Sequence, residues 1–168
     1  CLNLVLPWLI PFNGPHGFKV NPLPTGGISV RIPYRRSNRN HIKGIHACAI
    51  ATASEMCSGL SVLEQLDPKR YRLIMRTLHM AYHYQARTAA TATCVPGPDE
   101  IAEQVVKPLS VQDSVDHSST VEVRDAAGNY NRAALMVTAR SDGGQCASAP
   151  TQFTTKVWPS MSGLCTLC

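Results

Sequence analysis

Residues Asn38–Leu63 read NRNHIKGIHACAIATASEMCSGLSVL and form the longest helical pattern of the chain. From His46 to Leu63 this stretch carries one formal charge, Glu55, and nearly every other side chain is small or apolar. A surface helix normally shows an apolar stripe and a charged face. The pattern therefore predicts a helix buried on almost all sides by a sheet or a partner, with Glu55 in a low-dielectric setting. Two interpretations of Glu55 stay open: pairing with an Arg from elsewhere, or a working carboxylate in a cleft.

Composition and charge limit the class of protein. A chain of 168 residues with 44% hydrophobic content is long enough for one domain with a real core. Its net charge is +5, and a basic cluster precedes the helix: Arg35, Arg36, Arg39 and Lys43. No aromatic motif or zinc module accompanies that cluster, so we expect no nucleic-acid partner. A phosphate-bearing small ligand is the favoured interpretation, although each residue alone fits a solvated basic face.

The seven cysteines do not resemble a disulfide framework, because their number is odd and Cys48, Cys57 and Cys94 fall inside predicted elements. We therefore expect the cytoplasm or another reducing compartment. The terminal CxxC lacks a second ligand pair, so we expect no metal site, and nothing indicates a cofactor. Leu2–Ile10 is apolar but too short for a transmembrane segment. The chain starts at Cys1, which leaves an upstream targeting segment open.

Strand patterns surround the predicted helix. Before it, Ile28–Pro33 alternates; after it, Arg72–Tyr84 places Ile74, Leu78 and Met80 on one face. Further strands are expected at these positions: Ala86–Val95, the residues around Val121–Arg124, and Tyr130–Arg140 after the AAGN turn Ala126–Asn129.

The order of elements predicts an α+β hotdog fold, in which about five antiparallel strands curl around one long central helix. Residues 1–27 are expected to be an N-terminal segment that packs on the domain. Residues 28–140 form the hotdog domain, and 141–168 form a poorly ordered tail. Asp99–Leu109 fits either a short helix or a strand, and the pattern does not decide.

Three motifs carry a family resemblance: PFNGPHGFKV, RIPYRRSNRNHIKGIHACAIATASE and AYHYQAR. In that order they resemble domain-of-unknown-function family 4442 within the hotdog thioesterase-like superfamily. The helix motif is also similar to that of phenylacetate-pathway thioesterases, since Asn40 lies six residues before His46 and Glu55 nine after it. One departure is clear: Ala47 and Cys48 stand where that motif has two glycines.

The resemblance implies a hydrolase of acyl-CoA or another acyl thioester. Glu55 would act as base or nucleophile, and Asn40 and His46 would complete the catalytic set. The amides of Ala47 and Cys48 at the helix N-terminus would stabilise the oxyanion. The basic cluster Arg35, Arg36, Arg39 and Lys43 would meet the phosphates of CoA.

Helical geometry adds a constraint on assembly. Nine helical residues advance about 900° and roughly 13 Å, which puts Glu55 on the face opposite His46. One subunit therefore cannot bring both residues into one pocket. We expect a homodimer or a dimer of dimers, with the site across an interface.

Other functions stay open. A non-catalytic acyl- or lipid-binding hotdog protein would make Glu55 structural, and the missing glycines favour it. Cys48 in the first helical turn could be a nucleophile, although a small packing Cys is commoner. A dehydratase would need a His opposite the helix, which Pro15–Phe18 only faintly indicates.

Overall fold

The computed structural model describes residues 2–97 and 99–141, with the backbone alone at Leu2 and Leu9. Six antiparallel strands form one sheet in the order β1-β2-β4-β5-β6-β3. The bounds are β1 Lys19–Pro22, β2 Ile28–Ile32, β3 Tyr71–Ala81, β4 Ala90–Cys94, β5 Ser114–Asp125 and β6 Tyr130–Ser141. The helices are α1 Leu2–Leu9, α2 Ala47–Leu63 and α3 Lys107–Leu109. The predicted α+β hotdog architecture is confirmed, with six strands where about five were expected.

Helix α2 lies against the inner face of the sheet, because one side of it consists of residues that fill the core. Ala49, Ile50, Ala53, Cys57 and Leu60 are all buried. The sheet of one protomer covers only part of the helix, so the rest of the predicted burial would have to come from a partner. Solvent reaches a stripe of mostly small residues along the other side: Cys48, Ala51, Thr52, Glu55 and Gly59. The sheet curls around the rest of the helix and leaves this stripe uncovered.

Strand β3 contains an irregularity that the sequence pattern did not reveal. The register against β6 shifts between Met75 and Thr77, so an extra residue enters β3 there. A β-bulge reverses which residues face the core. Leu73 and Met75 therefore pack inward before the bulge, Met80 packs inward after it, and Ile74 is 49% exposed. The prediction that Ile74 shares the inner face with Met80 was wrong.

The N-terminal segment contributes more to the sheet than predicted. It contains β1, which pairs with β2 at the end of the sheet. The Asn3 side chain donates to the Val20 carbonyl at 2.9 Å and accepts from the Val20 N–H at 2.7 Å. Leu6 is 2% exposed in the core. These contacts hold α1 along β1.

The C-terminal half follows the hairpin prediction. Asp125 accepts from the N–H groups of Ala127 and Asn129, and Gly128 adopts a φ of 83° in the turn that joins β5 to β6.

Asp99–Leu109 is largely helical: π-helical Ala102–Val106 runs directly into α3. Ser141, assigned to the tail, is the last residue of β6; residues 142–168 of the predicted tail lie outside the described residues. No helix in the described ranges reaches the length and apolarity needed to cross a bilayer.

Candidate functional site

The loop before α2 is a tight hairpin built around Asn40. Its N–H donates to the Gly44 carbonyl at 2.8 Å. Its Oδ1 accepts from the N–H groups of Ile42 at 3.1 Å and Gly44 at 2.9 Å. A Cβ on Gly44 would lie 2.4 Å from the Gln85 side chain, so a larger residue here would force Gln85 to move. The loop uses only the oxygen of the Asn40 amide, and within the described residues its NH₂ group has no partner.

A buried asparagine that the sequence analysis did not single out fixes this loop to the rest of the fold. Asn38 is fully buried. Its NH₂ group donates to the carbonyls of His16 and Pro33, both at 2.9 Å. Its Oδ1 lies 2.9 Å from His16 Nδ1. Its own carbonyl accepts from the His46 N–H at 2.7 Å. Asn38 thus connects the N-terminal segment, the loop and the start of α2.

The backbone N–H groups at the N-terminus of α2 are not equivalent. His46 is the N-cap, and its Nδ1 accepts from the Cys48 N–H at 3.1 Å. This bond occupies the Cys48 amide and places the ring proton of neutral His46 on Nε2. The Ala47 N–H has no acceptor among the described residues, as expected for the first helical residue. Ala47 therefore supplies the available amide at the positive end of the helix.

Asn40 and Ala47 line the same depression, which has a volume of about 330 Å³. Tyr82 borders it and donates from its hydroxyl to the Ala47 carbonyl at 3.1 Å. Its lining residues are Asn40, Ile45, Ala47, Ile50, Tyr82, His83, Tyr84 and Gln85. Two of the predicted site residues are therefore together, and the residues that follow β3 form the opposite wall.

The predicted basic cluster divides into two groups. The Arg39 guanidinium stacks 5.3 Å from the Tyr34 ring centre, and the Tyr34 hydroxyl donates to the Lys43 carbonyl. These contacts keep Arg39 and Lys43 on the loop that carries Asn40. Arg35 lies instead against Gly17, where its guanidinium occupies the space that a Cβ would need. Arg35 therefore belongs to the side of the N-terminal segment, and Arg36, the next residue, is exposed.

Glu55 is exposed on the uncovered stripe of α2 and does not line the depression that contains Asn40. The separation predicted from helical geometry is therefore present in the protomer. Glu55 has no ion-pair partner among the described residues. One subunit therefore does not support the hypothesis that Glu55 pairs with a buried Arg.

A second polar cavity, of about 230 Å³, lies beyond the end of β4, where β5 is paired with β6 but no longer with β4. His117 of β5 is 2% exposed, and its Nε2 lies 3.7 Å from Glu100 Oε1. Burial lowers the pKa of His117, and the opposing attraction of Glu100 is smaller. His117 is therefore neutral at neutral pH, and its Nδ1 has no hydrogen-bond partner among the described residues. Burial likewise raises the thiol pKa of Cys57 and Cys94, so neither is a reactive thiolate.

A curled antiparallel sheet around one central helix defines a hotdog-fold protein. The chain belongs to the family described as Domain of unknown function (DUF4442), whose sequence profile matches residues 3–138. No protein with a curated description matches it.

Solved structures share the fold at low sequence identity. PA5026 from Pseudomonas aeruginosa, described as a probable thioesterase, is 20% identical with a TM-score of 0.73, over 83% of this chain and 93% of that one. OLEI01261 from Chlorobaculum tepidum, of unknown function, is 11% identical with a TM-score of 0.72, over 83% and 91%. The Q49A mutant of thioesterase PA1618 from Pseudomonas aeruginosa is 11% identical with a TM-score of 0.63, over 77% and 86%. At these identities the similarity concerns the fold.

Proposed function

We propose that the protein hydrolyses acyl thioesters, with acyl-CoA as the favoured substrate class. The observation that carries this proposal is the pair of unused donors in one depression: the Asn40 NH₂ group and the Ala47 N–H. A thioester carbonyl oxygen gains negative charge in the transition state, and preorganised donors stabilise that charge. The Asn40 oxygen is already committed to its loop, so this side chain is oriented to donate.

The second half of the site would come from another subunit. Strand β3 is the last strand of the sheet and is 11 residues long, without proline. A long unpaired edge favours pairing with another chain. We infer a two-fold dimer in which two β3 strands pair and the exposed small-residue stripes of the two α2 helices approach each other. Tyr82–Tyr84 follow β3 directly, so a partner on this edge would border the depression.

In this arrangement the partner's copy of Glu55 would face the thioester. As a general base, its carboxylate would take a proton from water while the water oxygen attacks the carbonyl carbon. The tetrahedral intermediate would place its oxyanion on Asn40 and Ala47. Its collapse breaks the C–S bond, and the proton held by Glu55 passes to the leaving sulfur, so the products are a carboxylic acid and a thiol and the carboxylate base is restored. In the nucleophile alternative, a Glu55 carboxylate oxygen would attack the thioester carbonyl, the C–S bond would break and the thiolate would leave, which forms an anhydride; water would then hydrolyse the anhydride to the free acid and restore the Glu55 carboxylate.

The remaining predicted residues take supporting roles. His46 would stand at the rim, and its ring would have to turn away before the Cys48 amide could become a second donor. Arg39 and Lys43 lie on the loop that carries Asn40 and would meet the phosphates of CoA. Arg35 and Arg36 would extend this positive surface. A reducing compartment remains our prediction for the location.

The alternative is a non-catalytic acyl- or lipid-binding protein, which the engaged Cys48 amide favours. A panel of acyl-CoAs of graded chain length, assayed by free-thiol release, separates the two functions. We expect Glu55→Gln to lower turnover by about two to four orders of magnitude. The matched control is Glu64→Gln, because Glu64 is an exposed glutamate just past the end of α2. Its turnover should equal that of the wild type. No thiol release across the panel would favour the binding function.

A further inference from the structure

An exposed apolar row marks the N-terminal segment. Leu4, Trp8 and Phe12 follow one another at intervals of four residues and are 78%, 83% and 67% exposed. Leu4 and Trp8 share one face of α1, because residues four apart on a helix are neighbours. Large exposed side chains grouped in this way indicate an interaction surface.

The row is fixed in place. Buried Leu6 anchors the opposite face of α1, and the Asn3 amide binds both backbone groups of Val20 on β1. Past α1, Ser37 donates to the Pro15 carbonyl at 2.7 Å and holds the basic loop against the segment. The apolar side chains point outward because the other side of the segment is already packed.

The N-terminal part of the chain, which contains this row, carries only positive formal charges. Residues 1–54 contain six of the 16 basic residues and none of the 11 acidic ones. Lys19 and Arg31 lie directly opposite each other on β1 and β2, and both are exposed. Like charges in this position repel, and the described residues place no carboxylate against them. Such a pair is stabilised when an external anion binds.

An uncharged row with tryptophan and phenylalanine beside exposed cations is the pattern of a segment that lies in a membrane interface. We propose that this face, formed by the row and by Lys19 and Arg31, docks on the surface of an anionic lipid bilayer. The apolar side chains enter the boundary between headgroups and acyl chains, and the cations contact lipid phosphates and carboxylates. This surface lies at the β1 end of the sheet, whereas the proposed dimer edge is β3 at the other end.

Vesicle binding tests this proposal without any thioester substrate. The whole chain is sedimented with phosphatidylcholine vesicles that contain either no phosphatidylserine or about one third of it. We expect binding to the anionic vesicles, and Trp8→Ser should weaken it by roughly tenfold or more because the largest apolar surface is lost. Val111→Ser is the matched control, since Val111 is 82% exposed and lies in the connection before β5; it should leave binding unchanged.

The cations and the tryptophan give separate readouts. Lys19→Gln with Arg31→Gln should lower binding to the anionic vesicles by about fivefold per charge and leave the weaker binding to neutral vesicles unaffected. In a Trp158→Phe chain, Trp8 is the one remaining tryptophan, and its emission should shift to the blue when anionic vesicles are added.

Three results would overturn the proposal. The first is no binding to anionic vesicles, or binding that Trp8→Ser does not weaken. The second is a change of oligomeric state in Trp8→Ser, which would show that a second copy covers the row. The third is strong shielding of Trp8 from a soluble quencher without vesicles, which would show that another part of the chain covers it.

Discussion

Replacing Asn38 with Ala removes the side-chain bonds that join the loop before α2 to the N-terminal segment and to Pro33, whereas the backbone bond from the His46 N–H remains. The change deletes one bond to the His16 ring and the donors to two backbone carbonyls. A buried partner left without its hydrogen bond costs about 1–3 kcal/mol. His16 and Pro33 are partly solvated, so we take the lower part of this range and expect a loss of about 2–4 kcal/mol. For a chain of this size, that loss corresponds to a fall in melting temperature on the order of 5–15 °C.

Urea unfolding of wild type, Asn38→Ala and a matched control measures this directly. Asn21→Ala is the control: Asn21 is an exposed asparagine in β1, and the change should alter the free energy of unfolding by less than about 0.5 kcal/mol. Asn38→Asp keeps the shape but loses the NH₂ donors and buries a carboxylate, so it should be at least as unstable as Asn38→Ala. An Asn38→Ala protein within about 1 kcal/mol of the wild type, with an unchanged m-value, would refute this account of the loop.

Three further changes test other parts of the structure. Glu55→Gln should leave the free energy of unfolding of the protomer within about 0.5 kcal/mol of wild type, because Glu55 is exposed and unpaired in the described residues. Urea unfolding measures this, and a loss of several kcal/mol would reveal an ion pair to Glu55. Burial lowers the pKa of His117 in the folded protein. Below about pH 6.5, His117 therefore binds a proton more readily in the unfolded chain than in the folded protein, and the free energy of unfolding should fall as the pH drops through that range. His117→Asn should make urea unfolding less dependent on pH, and an unchanged dependence would contradict this. Leu78→Lys places a charge on the inner face of the β3 edge, and sedimentation velocity should show monomers; a stable dimer would exclude this edge as the interface.

The architecture was predictable because its main signals are local. The apolar run of α2 and the alternating β-strands each carry a periodicity that survives in the structure, and the AAGN hairpin carries its own turn residues. Features that depend on contacts between strands could not be predicted from the local sequence. The bulge in β3 exists only relative to β6, so Arg72–Tyr84 gave no warning that Ile74 faces outward.

The second polar cavity was missed for a related reason. Residues Ser114–Thr120 of β5 contain few apolar residues, so they do not resemble a strand, and His117 was not assigned to the interior. The same holds for Asn38, whose importance comes from contacts with residues distant in sequence. The exposed stripe of α2 illustrates the opposite case: the pattern indicated burial, and one protomer leaves that side uncovered.

The relative positions of candidate site residues could be predicted from their sequence spacing only where the backbone itself determines the geometry. Helical periodicity placed His46 and Glu55 on different faces, and the structure keeps Glu55 away from the depression at the helix N-terminus. The selective use of the Ala47 amide was not predictable, because it depends on the His46 ring accepting from Cys48. A side-chain rotamer of this kind cannot be predicted from the sequence.

Subunit complementation tests the two-subunit thioesterase site most directly. Asn40→Asp keeps the loop-holding oxygen and removes the NH₂ donor, and Glu55→Gln removes the base. Each variant alone should lose at least about a hundredfold in thiol release. When equal amounts are unfolded and refolded together, half of the dimers pair one of each and contain one intact site. The mixture should then recover about a quarter of the wild-type rate. A mixture as inactive as the two variants alone would contradict a site shared between subunits.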